Sequence, residues 1–126
     1  MQFNFLSRPV VEHLHKRQIE KFGGSYGLRD EGALESALMR PLNKVAYGCN
    51  DLIELAAAYL FGLAMNHAFI DGNKRTGILA AVTFLALNDV ALEFEEAMIV
   101  TMVIGLAAGE VSEDELADWL RRASIQ

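Results

Sequence analysis

Residues 52–87 read LIELAAAYLFGLAM (Leu52–Met65), NHAFIDGN (Asn66–Asn73) and KRTGILAAVTFLAL (Lys74–Leu87), two strongly apolar runs joined by a short polar break. Leu52 to Met65 is apolar on nearly every side, the pattern of a central helix surrounded by others. Asp51 stands before it as a helix cap. Gly62 lowers helix propensity by about 1 kcal/mol relative to alanine, so it points to a neighbouring helix that approaches closely. The second run predicts a second buried helix from about Lys74 to Leu87, ended by the turn pair Asn88-Asp89.

Upstream, Ser7 reads as the cap of a first helix, with Pro9 in the first turn, where a missing N–H costs nothing. Val10, Leu14, Ile19 and Phe22 can share its inner face, with Glu12, Lys16, Arg17 and Lys21 mostly outside. Gly23-Gly24 stops it, and the glycine-rich loop to Arg29 reads as a connection. Asp30 caps a short helix with Leu34, Ala37 and Leu38 inward, and Pro41 marks its end. Downstream, Val90, Leu92 and Phe94 alternate with polar or small residues, which allows a short extended piece. A helix from about Glu95 to Ala108 follows, ended by Gly109. Ser112 and Glu115 form a capping box for the last helix. That helix turns Leu116, Trp119 and Leu120 inward and closes on Arg121-Arg122, favourable charges for a C-terminal end. The pattern is all-α: a compact bundle of about six helices around two buried central helices, in a single domain over residues 1–126.

The totals narrow the function. Of 126 residues, 52% are hydrophobic and 22% charged, enough apolar material for one core and too much for a disordered chain. The net charge of −6 argues against direct nucleic-acid binding, which usually needs a basic face. The single cysteine, Cys49, forms no internal disulfide and belongs to no metal knuckle, which together predict a reducing, cytoplasmic setting. Met1 to Phe5 carries no basic region leading into an apolar run, so no signal peptide is read. Leu55–Met65, Ile78–Leu87 and Met98–Ala108 all fall short of the ~18 residues of a spanning helix. Buried core helices account for them, and no membrane partner is expected.

The polar break holds His67, Asp71, Asn73, Lys74 and Arg75 within nine residues. Taken singly, each has an ordinary explanation: a satisfied histidine at a helix end, an N-cap, solvated charges. Their density between two buried helices marks a site. A helix starting near Asn73 points unpaired N–H groups beyond its N-terminus, and with the helix dipole they make an anion site. Lys74 and Arg75 lie in the first turn, where the dipole disfavours cations unless an anion is held there. Gly72 supplies backbone freedom for close approach to a ligand. Asp71 suits a divalent ion, since Mg²⁺ in phosphate sites is held by one or two carboxylates plus phosphate oxygens. His67 suits a general base for an attacking hydroxyl, and Phe69 would anchor the loop by packing inward. His13 and His15 lie on what reads as a distant amphipathic helix and complete no metal-ligand set.

The segment His67-Ala68-Phe69-Ile70-Asp71-Gly72-Asn73-Lys74-Arg75 resembles the Fic/Doc signature His-x-Phe-x-Asp/Glu-Gly-Asn-Gly/Lys-Arg at every defined position. Gly24 to Asp30 with Leu34-Glu35-Ser36-Ala37, and Ala108 to Ser112, are similar to segments of the Doc (death-on-curing) branch. The resemblance implies ATP and Mg²⁺ as cofactors. In it His67 is the base, Asp71 the Mg²⁺ ligand, and Gly72, Asn73, Lys74 and Arg75 the phosphate-binding turn. Fic proteins typically transfer AMP to a protein hydroxyl. Most such members have glycine where Lys74 stands, and a second arginine where this chain has Ile78. In the Doc branch the lysine accompanies a reversed nucleotide and phosphorylation, with elongation factor Tu as the associated target. The resemblance thus favours a kinase-type toxin, with AMP transfer or a non-catalytic nucleotide- or protein-binding module as alternatives. It also implies a bacterial or prophage setting and a small antitoxin whose tail folds on the toxin. The sequence shows no glutamate-bearing inhibitory helix of the kind some Fic proteins carry. A groove beside the first helix, with Lys16, Arg17 and Lys21, is a candidate seat for an acidic tail.

Overall fold

The computed structural model describes residues 2–125. The chain order is α1 (Arg8–Phe22), α2 (Glu31–Ala46), α3 (Leu52–Met65), α4 (Asn73–Leu87), β1 (Ala91–Leu92), α5 (Glu96–Ala108), α6 (Glu113–Ala123) and β2 (Ser124–Ile125). The all-α expectation holds. α3 is the axis: ten of its fourteen residues are buried, and α2, α4 and α6 all pack on it. Leu55, Leu60, Leu63, Phe84, Leu116 and Leu120 meet in a single core around Tyr59, whose hydroxyl accepts from the Leu6 amide at 3.0 Å.

Two glycines set the helix spacing. A Cβ at Gly77 of α4 would stand 2.9 Å from the Leu60 carbonyl oxygen of α3, and one at Gly62 would stand 3.2 Å from Cα of Ala37 in α2. Close backbone approach is therefore what Gly62 allows, as its place in an apolar helix suggested. The caps also follow the sequence. Ser7, Asp30, Asp51 and Ser112 each accept a first-turn amide, and Ser112 with Glu115 completes the capping box.

Four expectations need correction. Pro41 does not end α2; it is buried inside it, and the helix runs to Ala46. The proline removes one hydrogen bond, to Ala37, whose carbonyl oxygen lies beside Gly62 of α3. Tertiary packing outweighs that single loss. On α1 the buried stripe is Val11, Leu14, His15 and Ile19, whereas Val10 and Phe22 are exposed. Val10 lies off the line of positions 11, 14, 15 and 19, which recur at helical spacing, whereas Phe22 falls on that line but is the last residue of α1. The Met98–Ala108 run is not a core helix: Met102 and Leu106 face in, while Ile99, Val100 and Ile104 are exposed because none of the described residues covers the outer side of α5. The extended piece at Val90–Phe94 forms only Ala91–Leu92, and its antiparallel partner, Ser124–Ile125, had no signal in the pattern. No helix among the described residues is long and apolar enough to cross a membrane.

Candidate active site

α3 ends at Asn66, and the chain leaves it with His67 in the left-handed region at φ 52°. That backbone turn lets Ala68 and Phe69 drop into the core, where both are buried. Phe69 is then clasped by Asn73: its amide donates to Asn73 Oδ1 at 3.0 Å, and its carbonyl accepts from Asn73 Nδ2 at 2.9 Å. The side chain of Asn73 is thus committed to closing the loop, which leaves its main-chain N–H for any ligand.

Gly72 caps α4 in the left-handed conformation at φ 76°, and no side chain caps the helix. The first amide bonded within this end is that of Thr76, to the Gly72 carbonyl at 2.9 Å. The amides of Gly72, Asn73, Lys74 and Arg75 have no acceptor among the described residues. Four acceptor-free N–H groups at the positive end of a helix dipole are the arrangement that suits an anion. Asp71 is not used as the cap. Its Oδ2 accepts from the Ser25 amide at 2.8 Å, and its Oδ1 has no hydrogen-bond partner among the described residues. The structure brings His67, Asp71, Gly72, Asn73, Lys74 and Arg75 around one cleft of about 330 Å³, lined also by Ile70 and by Val103 of α5.

Three parts of this site are not evident in the signature. The loop Gly23–Asp30 is more than a connection. Ile70 donates to the Gly27 carbonyl, and the amides of Arg29 and Asp30 both donate to the carbonyl of Ala68. Its Arg29 side chain reaches the His67 carbonyl at 2.6 Å. His15 is not distant: its ring stacks on Phe69 with centroids 3.8 Å apart, and its Nε2 lies 2.8 Å from the Asp71 carbonyl oxygen. The exposed Phe22 ring carries the Arg75 guanidinium at 4.6 Å. A histidine at position 15, in register with Val11, Leu14 and Ile19, was the available sign that α1 turns a polar group inward. Ile78 is half-buried against the core and brings no second cation to the turn.

Two larger clefts exist, about 630 Å³ between α5 and α6 and about 600 Å³ beside Arg40 and Cys49. Neither is lined by a histidine, whereas the smaller cleft is lined by His67.

The Fic/DOC family model matches residues 5–85, a span that includes α1, α2, α3 and every cleft residue except Val103. The chain is 39% identical over 110 residues to "Protein kinase doc" of Escherichia phage P1, covering 86% of each protein. It is 50% identical over 74 residues to "Toxin Doc" of Mycolicibacterium smegmatis, covering 56% of each.

Proposed function

The chain belongs to the Fic/Doc family, in its Doc branch, and from that premise we propose that it is an ATP-dependent, protein-modifying toxin of the kinase type. It would move the terminal phosphoryl group of ATP to a Ser or Thr hydroxyl of a protein such as elongation factor Tu. One observation carries this reading: the run of acceptor-free amides from Gly72 to Arg75, in a cleft that His67 and Asp71 also line.

The donor set fits Mg²⁺. Among the described residues no three His, Cys, Asp or Glu side chains are grouped to hold a metal. A cation here would take Asp71 as its one protein carboxylate and complete its shell with water and phosphate oxygens, which is how Mg²⁺ is held in phosphate sites. Bound in that way, Mg²⁺ supplies charge neutralisation for the transferred group. The chain does the rest. Ser25 fixes one Asp71 oxygen and leaves the other for the cation. The Gly72–Arg75 amides and the Lys74 ammonium bind phosphate oxygens, and His67 takes the proton of the attacking hydroxyl. Arg75 is held over Phe22, which fixes its guanidinium at the rim.

Lys74 and Ile78 favour phosphoryl over AMP transfer. Lysine at 74 fills space that one phosphate of the AMP-transfer orientation would need, and Ile78 cannot provide the second cation. The 39% identity to a protein bearing a kinase name supports the same choice. By the same family reading, a small antitoxin would inhibit in trans, its acidic tail folding along α1 beside the exposed Lys16, Arg17 and Lys21. Charge reversal at those three positions should weaken antitoxin binding, and unchanged affinity would refute that seat.

The site assignments are tested with γ-labelled ATP, Mg²⁺ and bacterial lysate as acceptor. Label should enter protein, vanish with His67→Ala, and lose its Mg²⁺ dependence of nucleotide binding with Asp71→Ala. Full activity in His67→Ala contradicts the assignment of the base.

A further inference from the structure

We infer that His15 is a positioning residue: by holding the Asp71 carbonyl, it aims the Gly72 amide into the cleft. This rests on the reading that an anion binds at the α4 turn.

A carbonyl oxygen only accepts, so at 2.8 Å it is Nε2 of His15 that carries the proton and donates. That donor is present whether the ring is neutral or charged. The ring is fixed from the side by its stack on Phe69, with the planes 8° apart, and His15 is 4% exposed. The donor direction is therefore set by the core.

The consequence passes through one peptide plane. The Asp71 C=O and the Gly72 N–H belong to the same planar trans unit and point in opposite directions. Drawing the oxygen toward α1 turns the N–H away from α1, and Gly72 lines the cleft with its amide meeting no acceptor among the described residues. Nothing local enforces this orientation, because glycine accepts φ of either sign and Gly72 is at φ 76°. A rotated 71–72 peptide would present a carbonyl oxygen to the anion in place of a donor. His15 is the contact that selects between the two. It also stands close beside Gly72, where an added Cβ would lie 3.8 Å from Nε2. This gives the buried His15 a role through the one hydrogen bond its Nε2 makes.

The experiment uses the full ¹⁵N-labelled chain titrated with Mg²⁺-ATP, following the Gly72 amide and the dissociation constant. His15→Phe keeps an aromatic ring against Phe69 but has no donor, and it should weaken binding by on the order of tenfold and abolish the Gly72 shift. His15→Gln places a donor at the reach of Nε2 and should bind within about threefold of the parent. If the parent binds and His15→Phe binds equally well with the same Gly72 shift, the positioning role is wrong while the proposed function stands. If the parent itself binds no Mg²⁺-ATP, both are wrong. Should His15→Phe not fold, the Gln and Asn variants decide. Both lack the ring and only Gln reaches the carbonyl, so equal affinities overturn the inference and recovery by Gln alone supports it.

Discussion

Arg29 donates from Nε to the carbonyl oxygen of His67 at 2.6 Å, joining residues 38 positions apart, and His67 is the signature residue held with left-handed backbone. Outside glycine, that conformation costs about 1–2 kcal/mol and persists only where surrounding contacts enforce it. Here the contacts come from the Gly23–Asp30 loop, which also receives Ile70 and holds Ala68. His67, Asp71 and the loop are one hydrogen-bonded unit.

Removing the guanidinium should therefore disturb the base more than the nucleotide. Arg29→Ala is expected to lower kcat about tenfold, since small misplacements of a catalytic group cost on that scale, and to leave KM for ATP within about twofold. Steady-state kinetics check this. An unchanged kcat would show that His67 keeps its place without Arg29.

Asn73 offers a second test. Its side chain both donates to and accepts from Phe69 and is 8% exposed. Asn73→Asp keeps the shape and replaces the donor by an acceptor facing the Phe69 carbonyl. The expected loss is about 2–3 kcal/mol at neutral pH, the cost of an unsatisfied buried pair with charge added. The deficit should shrink on acidification, when the carboxyl takes a proton and regains a donor. Urea denaturation at two pH values measures it, and an equal deficit at both would contradict the clasp.

How much of this was legible in the sequence depends on the range of the interaction. Ser7, Asp30, Asp51 and Ser112 are local capping signals, and all four cap their helices. The polar break at 66–73 likewise announced its own cleft. Pro41 misled because its penalty is local while the packing that overrides it comes from α3. Exposure of Ile104 was invisible for the converse reason: whether an apolar helix is covered depends on elements elsewhere in the chain. His15 and Arg29 belong to the site only through contacts spanning 56 and 38 residues. No spacing rule within α1 or its loop reports such contacts.

The α3–α4 contact should resist enlargement. Gly77→Ala gains up to about 1 kcal/mol of helix propensity. The new methyl would meet the Leu60 carbonyl oxygen at 2.9 Å and the Ala64 nitrogen at 3.3 Å, so two backbones must separate. Overpacking of that kind costs about 1–3 kcal/mol, and the net effect is expected to be destabilising. Chemical denaturation decides, and a gain in stability would contradict the close approach.

Acid should loosen the seam between α2 and α6. Glu113 accepts from Arg40 and pairs with Lys44 Nζ at 2.6 Å, with its side chain 15% exposed. Burial tends to raise its carboxyl, but the hydrogen bonds from Lys44 and Arg40 outweigh that and hold it below its ordinary value of 4.5. Asp51 behaves alike: burial is outweighed by Arg121, with a contribution from the Ile53 amide. A depressed folded value means stability that is present above the ordinary value and lost as pH falls through the folded one. Melting temperature should drop progressively below about pH 4.5 by this linkage. Glu113→Gln should cost about 1–2 kcal/mol at neutral pH and flatten the acid limb, because this pair is intermediate between exposed and buried. A variant with the parent's acid profile would remove Glu113 from the account.

We propose that a cleft with lysine at 74 and no cation at 78 presents the terminal phosphate to the acceptor. Two parallel time courses with Mg²⁺, bacterial lysate and ATP labelled at either the α or the γ position test it most directly. The account predicts that γ label enters protein in the parent chain, that α label does not, and that His67→Ala transfers neither. Transfer of the α label without the γ label would contradict it and make the chain an AMP transferase.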